Sequence, residues 1–292
     1  MSLLSTLSFI WSHPLNRSAR LAAIGRFVRW QLASRVTPGL IALPFAGGTS
    51  LFARRGMTGA TGNFYCGLHE CKDMAFVLHA LRAGDLFVDV GANIGSYTVL
   101  ASGVVGARTI AVEPIPATFL SLELNAALNG LTDLVELKCL GLSDRQGVLR
   151  FTASLDTVNH VATENESADS VEVCVATLDE VLQGRSPTVI KIDVEGHEKA
   201  VLSGATKTLA DPALLAVVME TNESGARYGV ADDELVHILA QFGFAKFTYD
   251  PFTRGLVSAV HRDENTLFIR DIEIVAKRVR ESVRYQLLNG EI

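Results

Sequence analysis

The sequence predicts an α/β fold built around a mostly parallel sheet. Apolar, β-favouring runs alternate along the chain with segments whose apolar residues recur at helical spacing. These runs end at glycines or acidic residues, and the ends of parallel strands are where open α/β sheets bind ligands. With 292 residues, of which 48% are hydrophobic, the chain can bury one large core plus an appendage.

The clearest ligand-binding signal lies in residues 86–98, where an apolar strand stops at a small-residue turn and a helical pattern follows. Gly91 and Gly95 permit the positive φ angles and close backbone approach that a tight turn needs. Asn93 stands where a dinucleotide fingerprint has its second glycine, so a diphosphate fits this turn poorly. We therefore expect S-adenosylmethionine as the ligand, and a purely structural turn is the alternative.

A second signal is Glu113, which ends the next apolar run, Thr109 to Val112. Its distance from the glycine turn is roughly that at which nucleotide-binding folds place the acid that binds the ribose. Pro114 ends the strand just where the carboxylate must face the crevice. The two signals together predict a nucleotide-type site.

Residues 1–69 form a basic segment that we expect to extend the fold at its N-terminal side. They hold seven of the 26 Lys and Arg residues and none of the 32 Asp and Glu residues, which leaves 19 − 32 = −13 for the remainder. The spacing predicts two short amphipathic helices within residues 1–36, and small strands and turns over 37–67. Either residues 1–36 contact a membrane peripherally, or the segment packs on the acidic body of its own chain.

Predicted strands and helices alternate over residues 70–271, which we expect to form one α/β domain. It begins with a predicted helix over 70–81. Further strands are predicted at 86–90, 109–112, 135–140, 189–192 and 214–219, with a closing antiparallel pair at 244–249 and 266–269. Residues 148–176 contain two alternating β patterns and predict an inserted hairpin. Helical spacing from Ile272 predicts a C-terminal helix over 272–292.

The four cysteines form no C-x-x-C pair and no metal-binding spacing. They predict reduced, mostly buried thiols in a cytoplasmic protein, membrane-associated if residues 1–36 bind lipid. An acid-free start is also typical of an organellar transit peptide. We expect no nucleic-acid partner, and the oligomeric state stays open.

Three motifs in order carry a family resemblance: residues 88–95, Glu113-Pro114, and residues 190–198. Together they closely resemble the FkbM family of S-adenosylmethionine-dependent methyltransferases over residues 70 to about 270. The resemblance implies a Rossmann-like class I methyltransferase sheet, mostly parallel with a closing antiparallel strand pair, behind the N-terminal helical extension. For many relatives it implies O-methylation of a hydroxyl on a sugar or secondary metabolite, so a small-molecule or glycan acceptor is expected.

The resemblance also implies roles for individual residues. The cofactor-binding set would be Asp89, Gly91, Asn93, Gly95, Glu113, Asp144 and Asp193, with Glu113 on the ribose hydroxyls and Asp144 near the adenine amine. Asp193, Glu195 and His197 match the acidic motif where the cofactor's methionine part meets the acceptor. Structural roles stay open for Asp89 as a support of the loop amides, for Asp144 as a turn residue, and for His197 as a hydrogen-bonding residue.

The catalytic candidates are Asp193, Glu195, His197 and Glu220. Asp193 and Glu220 end presumed neighbouring strands, and Asn222 follows two residues later. Such oxygens could coordinate Mg²⁺. Nothing in the spacing demands a metal, so we expect a metal-free site in which Asp193 or His197 takes the proton and Glu220 orients the acceptor.

Two other functions are compatible with the fold class. A nicotinamide-dependent oxidoreductase is disfavoured by Asn93 and by the missing third glycine of the dinucleotide fingerprint. A non-catalytic scaffold that binds a membrane or partner through the basic segment is disfavoured by the acids at the strand ends.

Overall fold

The computed structural model of the protein describes residues 3–153, 159–163, 169–259 and 265–292. Its first elements form an N-terminal layer. This layer consists of α1 (Leu3–Ser12), α2 (Arg20–Val36), β1 (Ile41–Pro44), β2 (Ser50–Ala53) and α3 (Thr58–Cys66). β1 and β2 pair antiparallel as a separate two-stranded sheet.

Helices and strands then alternate as predicted. The next elements are α4 (Cys71–Ala80), β3 (Leu86–Val90), α5 (Ser96–Thr98) with the π-helical segment Val99–Val105, β4 (Arg108–Val112), α6 (Pro116–Leu128), β5 (Val135–Lys138), β6 (Gly141–Leu142), β7 (Gly147–Thr152) and β8 (Ser170–Ala176). They are followed by α7 (Leu178–Leu182), β9 (Val189–Ile192), α8 (Glu198–Ser203), α9 (Thr206–Ala210), β10 (Ala216–Glu220) and α10 (Asp232–Gln241). The last elements are β11 (Ala245–Asp250), β12 (Gly255–Ser258), β13 (Asn265–Ile269), α11 (Ile272–Glu281), β14 (Gln286–Leu287) and β15 (Gly290–Glu291).

An eight-stranded sheet forms the centre, in the order β12-β11-β13-β10-β9-β3-β4-β5. Strands β5, β4, β3, β9 and β10 are parallel neighbours. β13 pairs antiparallel with both β10 and β11, which is the closing antiparallel pair that the sequence predicts. The Rossmann-like class I methyltransferase sheet is therefore confirmed, with β12 as an additional edge strand that the sequence analysis missed.

The predicted insertion forms a small sheet of its own. β7 pairs antiparallel with β8, and β6 pairs parallel with β8. Residues 154–158 and 164–168 of this hairpin lie outside the described residues. Phe151, Val173 and Val175 are buried together with Ile115, so the insertion packs on the segment that follows β4.

Gly91 brings the ends of the two central strands together. Its φ is +74°, and a Cβ built there would lie 1.8 Å from the carbonyl oxygen of Asp193. Any side chain at this position would push the end of β3 away from the end of β9. The glycine therefore sets the close approach that places the residues after both strands at one edge of the sheet.

The N-terminal layer is joined to the C-terminal residues by a buried amide network. Asn16 Nδ2 donates to the carbonyl of Ile10 at 2.9 Å. Asn16 Oδ1 accepts from Arg26 at 3.2 Å and from Asn289 Nδ2 at 3.0 Å. Asn289 also donates to the Cys66 carbonyl at 2.8 Å, so one side chain of the final hairpin ties α1, α2 and α3 together.

Two predicted elements differ from the structure. Residues 58–66 are helical instead of strand and turn. All residues from 60 to 66 are buried, and the ring of His69 fills the space that a Cβ at Gly62 would need, so the small residues let the helix pack closely on its neighbours. Tertiary packing here outweighs the turn preference of the glycines.

The C-terminal helix ends at Glu281 instead of continuing to residue 292. The guanidinium of Arg254 donates to the carbonyls of Val279 and Arg280, both at 3.3 Å, and so supplies donors to carbonyl groups in the last turn of the helix. The residues beyond fold back as the β14–β15 hairpin. The cysteines also differ from expectation, since Cys139 and Cys174 are exposed while Cys66 and Cys71 are buried.

The amide network predicts that Asn16→Ala destabilises the protein. The change removes a fully buried side chain, takes the Asn16 donor from the Ile10 carbonyl, and leaves Arg26 and Asn289 with one acceptor fewer each, which costs about 1–3 kcal/mol. Urea unfolding should show this decrease, and the exposed neighbour Ser18→Ala is the matched control. Equal stability of the two variants would contradict the structural role of Asn16.

Candidate active site

The turn after β3 forms a loop that is fixed by local hydrogen bonds and by left-handed backbone conformations. Asn93 has a φ of +51°, and its Oδ1 accepts from the amide of Ile94 at 2.7 Å. Asparagine tolerates this left-handed conformation because its short polar side chain bonds locally. Gly95 has a φ of +87° and a Cβ there would meet Leu122, so the residue must be small for α5 to pack on α6.

Glu113 lies directly across from this loop. Its Oε2 accepts from the amide of Asn93 at 2.9 Å, and its Oε1 accepts from the amide of Ile115 at 3.0 Å. Burial raises the pKa of the Glu113 carboxyl to about 7, although the two amide donors act in the opposite direction. Each oxygen keeps a lone pair available to a ligand hydroxyl.

A cofactor-side pocket opens between this carboxylate and the insertion. Its lining includes Gly91, Asn93, Glu113, Ile115, Leu142, Phe151, Asp193, Glu195 and His197. Ile115, Leu142 and Phe151 supply an apolar wall suited to a purine ring. The predicted Asp144 is not among the lining residues, and its Oδ1 accepts from Ser143 Oγ at 3.2 Å.

Asp89 lies at the base of the site, fully enclosed by protein. Its Oδ2 accepts from the Thr98 hydroxyl at 2.7 Å. Its Oδ1 is buried and has no partner among the residues that the structure describes. Burial raises the pKa of this carboxyl, an effect that the nearby Lys191 partly offsets. An unpartnered acceptor atom in this position fits a donor group on a bound ligand, as S-adenosylmethionine has in its ammonium.

An acceptor-side pocket lies on the other side of the same loop. Its polar lining comprises Thr58, Asn63, His69, Glu70, Asp89, Asn93, Ser96, Tyr97, Lys191, Asp193, Glu195 and Glu220. Gly91, Asn93, Asp193 and Glu195 line both pockets, and of these only Asp193 and Glu195 carry ionisable side chains. The two pockets therefore adjoin at a boundary formed by the loop after β3 and two carboxylates.

Lys191 is a functional residue that the sequence analysis missed. It is buried in the middle of β9, and its Nζ lies 2.7 Å from Asp193 Oδ2 and 4.8 Å from the ring centre of Tyr97. The hydroxyl of Tyr97 in turn donates to the carboxylate of Glu70. The available signal was a lysine within a four-residue apolar strand, since a buried ammonium requires an anionic partner.

Glu195 and Glu220 complete the acidic edge. Burial, and after it the charges of Asp193 and Glu198, raises the pKa of Glu195 to about 7. Burial, followed by the charges of Asp193 and Glu195, raises the pKa of Glu220 further above its usual range. Glu195 also has a φ of +54°. Non-glycine residues in this conformation cluster at functional sites.

Carboxylate oxygens of Asp193, Glu195 and Glu220 lie within 4.8 Å of one another, which is close enough to share a cation. Asn222, which the sequence analysis considered as a Mg²⁺ ligand together with Asp193 and Glu220, has other partners in the structure. Its Nδ2 donates to Glu220 Oε1 at 2.7 Å, and its Oδ1 accepts from the amide of Ser224 at 2.9 Å. Both polar atoms of the Asn222 amide are thus engaged in other hydrogen bonds, whereas Glu195 is grouped with Asp193 and Glu220.

His197 lines the cofactor-side pocket and is not among the residues lining the acceptor-side pocket. Its Nε2 lies 3.1 Å from Ser143 Oγ. Burial lowers the pKa of its imidazole, against the effect of Asp144, so the ring is neutral near pH 7. The carboxylate of Glu198 accepts from the amides of Val194 and Gly196 at 3.2 and 3.1 Å, and so supports the loop carrying Glu195 and His197.

The raised pKa of Glu220 predicts a pH-dependent stability. The unfolded carboxyl titrates near 4.5, so its contribution to stability is complete below that pH and is lost as the pH rises through the higher folded value. Glu220→Gln cannot ionise. Its unfolding temperature should match the wild type at about pH 5 and exceed it above about pH 8, by about 2–4 °C per kcal/mol.

Thermal unfolding followed by circular dichroism across this pH range measures the difference. Glu281→Gln, at an exposed position on α11, is the control and should follow the wild-type curve. A Glu220→Gln curve parallel to the wild type at all pH values would show that this carboxyl titrates normally.

Comparison with known proteins agrees with the site. Residues 89–246 match the family described as the methyltransferase FkbM domain. The chain is 30% identical over 222 residues to the 31-O-demethyl-FK506 methyltransferase FkbM of Streptomyces tacrolimicus, a match that covers 63% of this chain and 82% of that protein. It is 34% identical over 139 residues to the hexuronic acid methyltransferase AglP of Haloferax volcanii, covering 46% of this chain and about half, 55%, of the relative.

Among solved structures, an S-adenosylmethionine-dependent methyltransferase from Agrobacterium tumefaciens aligns over 80% of this chain and 70% of its own, with 11% identity and a TM-score of 0.46. That similarity is too low to support an argument about this chain. The family match spans more than half of the sequence and includes the loop after β3, Glu113 and the acidic motif after β9. The chain therefore belongs to the FkbM family of S-adenosylmethionine-dependent methyltransferases.

Proposed function

We propose that the protein transfers the methyl group of S-adenosylmethionine to a hydroxyl oxygen of a sugar or secondary metabolite. The observation that carries this proposal is the pair of pockets that meet at Asp193 and Glu195. One pocket combines the Glu113 carboxylate, an acceptor for ribose hydroxyls, with an apolar wall for a purine, and the other is lined by hydrogen-bonding side chains. The two named relatives, which methylate a hexuronic acid and a demethylated FK506, support an acceptor of this kind.

On the cofactor side, Glu113 binds the two ribose hydroxyls while Ile115, Leu142 and Phe151 enclose the adenine. Asp193, which lines both pockets, faces the methionine part, whose ammonium would reach past the junction to Asp89 in the acceptor-side pocket. The bound cofactor supplies a methyl group on a sulfonium, which is already a good leaving group. The protein therefore needs to hold acceptor and methyl in line and to remove one proton.

On the acceptor side, the chemistry of the pocket favours a neutral polyol. Glu70, Asp193, Glu195 and Glu220 surround the site, with Lys191 bonded to Asp193. Carboxylates accept hydrogen bonds from sugar hydroxyls, whereas an acidic sugar would be repelled by them. A neutral sugar is therefore favoured as the acceptor, and in this respect the protein would differ from the hexuronic acid methyltransferase, which supports only the broader class of sugar acceptors.

Glu195 is the residue best suited to accept the hydroxyl proton. It lines both pockets, and its pKa of about 7 is close to the pH at which a general base works best. Asp193 is bonded to Lys191 and serves to position the methionine part and the acceptor. Glu220 holds its proton more tightly and can donate a hydrogen bond to the acceptor oxygen. His197, on the cofactor side, supports the nucleoside part.

The proposed mechanism is metal-free. The ammonium of Lys191 already compensates the charge of Asp193, and burial favours the neutral form of Glu220. The cluster therefore carries less negative charge than its three carboxylates suggest. A divalent cation would have to displace these protons and compete with Lys191.

Glu113 should control cofactor affinity. Hydrogen bonds to a charged acceptor contribute about 1.5–3 kcal/mol, so Glu113→Gln should weaken S-adenosylhomocysteine binding tenfold or more. Because the carboxyl has a pKa of about 7, wild-type affinity should be about tenfold higher at pH 8 than at pH 6. Isothermal titration calorimetry measures both effects. Glu113→Gln should lose the pH dependence, and unchanged affinity in this variant would remove the ribose assignment.

Glu195 should control the chemical step. With radiolabelled S-adenosylmethionine and a panel of neutral and acidic glycosides, Glu195→Gln should lower kcat by roughly 10²–10⁴ while S-adenosylhomocysteine affinity stays nearly constant. His197→Ala should show the reverse pattern, with weaker cofactor binding and a smaller loss of kcat. Asp193→Asn should impair both quantities.

Activity should survive exhaustive treatment with EDTA. Loss of activity that Mg²⁺ or Mn²⁺ restores would establish the metal-dependent alternative, with Asp193, Glu195 and Glu220 as ligands.

A thermal shift with NAD but none with S-adenosylhomocysteine would instead favour the oxidoreductase, which the comparisons do not support. If the labelled methyl group appears on nitrogen in the products and on no hydroxyl of any glycoside or metabolite tested, O-methylation is contradicted.

A further inference from the structure

Helix α2 is apolar on two opposite faces. Ala23, Phe27 and Trp30 are buried in the core. On the other side Leu21, Val28, Leu32 and Val36 recur at the spacing of a helical stripe, and all four are exposed, with Leu21 and Val36 at 80%. A surface helix normally places polar residues on the face away from the core, so this second apolar stripe is not explained by packing within the chain.

Helix α1, which packs against α2, also exposes large apolar side chains. Leu3, Leu4 and Trp11 are exposed there, while Ile10 packs inward. The guanidinium of Arg20, at the start of α2, lies 5.2 Å from the ring centre of Trp11, and its Nε donates to the Trp11 carbonyl at 3.1 Å. We call the seven exposed residues the N-terminal apolar face: Leu3, Leu4, Trp11, Leu21, Val28, Leu32 and Val36.

Exposed arginines border this face. Arg17, Arg20, Arg29 and Arg35 are solvent-exposed, and the segment up to residue 69 contains no acidic residue to neutralise them. The ion pairs found within the described part of the chain involve none of these four guanidinium groups. The arginines therefore do not pack on the acidic body as ion pairs, and their charge is available to an anionic surface.

We propose that the N-terminal apolar face binds the surface of an anionic lipid bilayer. The leucines and valines enter the boundary between headgroups and acyl chains, Trp11 lies at headgroup level, and the arginines bind lipid phosphates. A second copy of the chain fits this face less well, because pairing two such faces would bring the arginines of both copies together. No helix within the described residues is long and apolar enough to cross a bilayer, so α1 and α2 lie on the membrane.

The position of the face agrees with a role in acceptor delivery. Leu3 also lines a cleft between α1, α2 and α3, whose walls include Phe27, Trp30 and Tyr65. This cleft shares Thr58 and His69 with the acceptor-side pocket. Leu3 of the apolar face therefore borders a cleft that adjoins the acceptor-side pocket.

Vesicle co-sedimentation of the full chain tests the proposal. At low ionic strength the protein should pellet with phosphatidylcholine vesicles containing phosphatidylglycerol and should pellet at least fivefold less with pure phosphatidylcholine. Raising the salt should release it, because the phosphate contacts are screened. Absence of binding to the anionic vesicles at low salt overturns the proposal.

Matched variants distinguish binding through the N-terminal apolar face from non-specific adsorption of the protein to vesicles. The double variant Leu21→Ser and Leu32→Ser should reduce the bound fraction at least fivefold, and Arg29→Gln with Arg35→Gln should do the same. Val257→Ser, on β12, removes a residue as exposed as Leu32, both at 64%, and should leave binding unchanged. Equal loss in the Val257 variant would indicate non-specific adsorption. S-adenosylhomocysteine affinity should be the same in all three, which keeps this test independent of the proposed reaction.

Tryptophan fluorescence gives a second readout. The chain has two tryptophans, so Trp30→Phe leaves Trp11 as the reporter on the face, and Trp11→Phe leaves the buried Trp30. Brominated lipids should quench the Trp11 reporter and shift its emission to the blue, and they should leave the Trp30 reporter unaffected. Quenching of neither reporter contradicts the orientation. Concentration-dependent dimerisation that the leucine variant abolishes would show that a second copy covers the face instead.

Discussion

The ammonium of Lys191 is the charge on which the acidic edge of the sheet depends. It lies inside β9, bonded to Asp193, and the carboxylates of Glu70 and Asp89 are close enough to raise its pKa against the opposing effect of burial. Without this cation, several buried carboxylates would repel one another in a medium that screens charge poorly. The lysine allows acids from β3, α4 and β9 to face a common space while the protein stays folded.

Gly91 and Lys191 act together to fix the geometry of the site. The glycine permits β3 and β9 to approach closely, and the lysine neutralises the charge that this approach concentrates. Asp193 is held from both sides, since its carbonyl lies against Gly91 and its carboxylate is bonded to Lys191. Side chains held before the ligand arrives need no reorganisation during the reaction, which is a principal source of catalysis in enclosed polar sites.

The features that the sequence predicted best are those formed by residues close together in the chain. The loop after β3, the acid after β4 and the acidic motif after β9 each occupy a few consecutive positions, and the parallel topology places them at one edge. Lys191, Glu70 and Tyr97 could not be grouped in this way, because their proximity arises from pairing of β9 with β3 and from packing of α4 and α5. The helical state of residues 58–66 was hidden by glycines whose small size serves packing against His69. His197 follows the acidic motif in sequence, but the turn of its loop places it in the cofactor-side pocket.

The hydrogen bonds of Asn289 have a consequence for how the protein is made. The N-terminal helices leave the ribosome well before the C-terminal hairpin, yet Leu287 and Ile292 belong to the same buried cluster as Ile10, Phe27 and Trp30, and Asn289 bonds to Asn16 and Cys66. At ordinary translation rates the intervening residues take on the order of tens of seconds to appear. During that interval the inner side of α2 can pack on α1 and α3, but the partners that Asn289 supplies to Asn16 and to the Cys66 carbonyl are absent. The buried amide network of the N-terminal layer is therefore completed only when the last residues of the fold have been made.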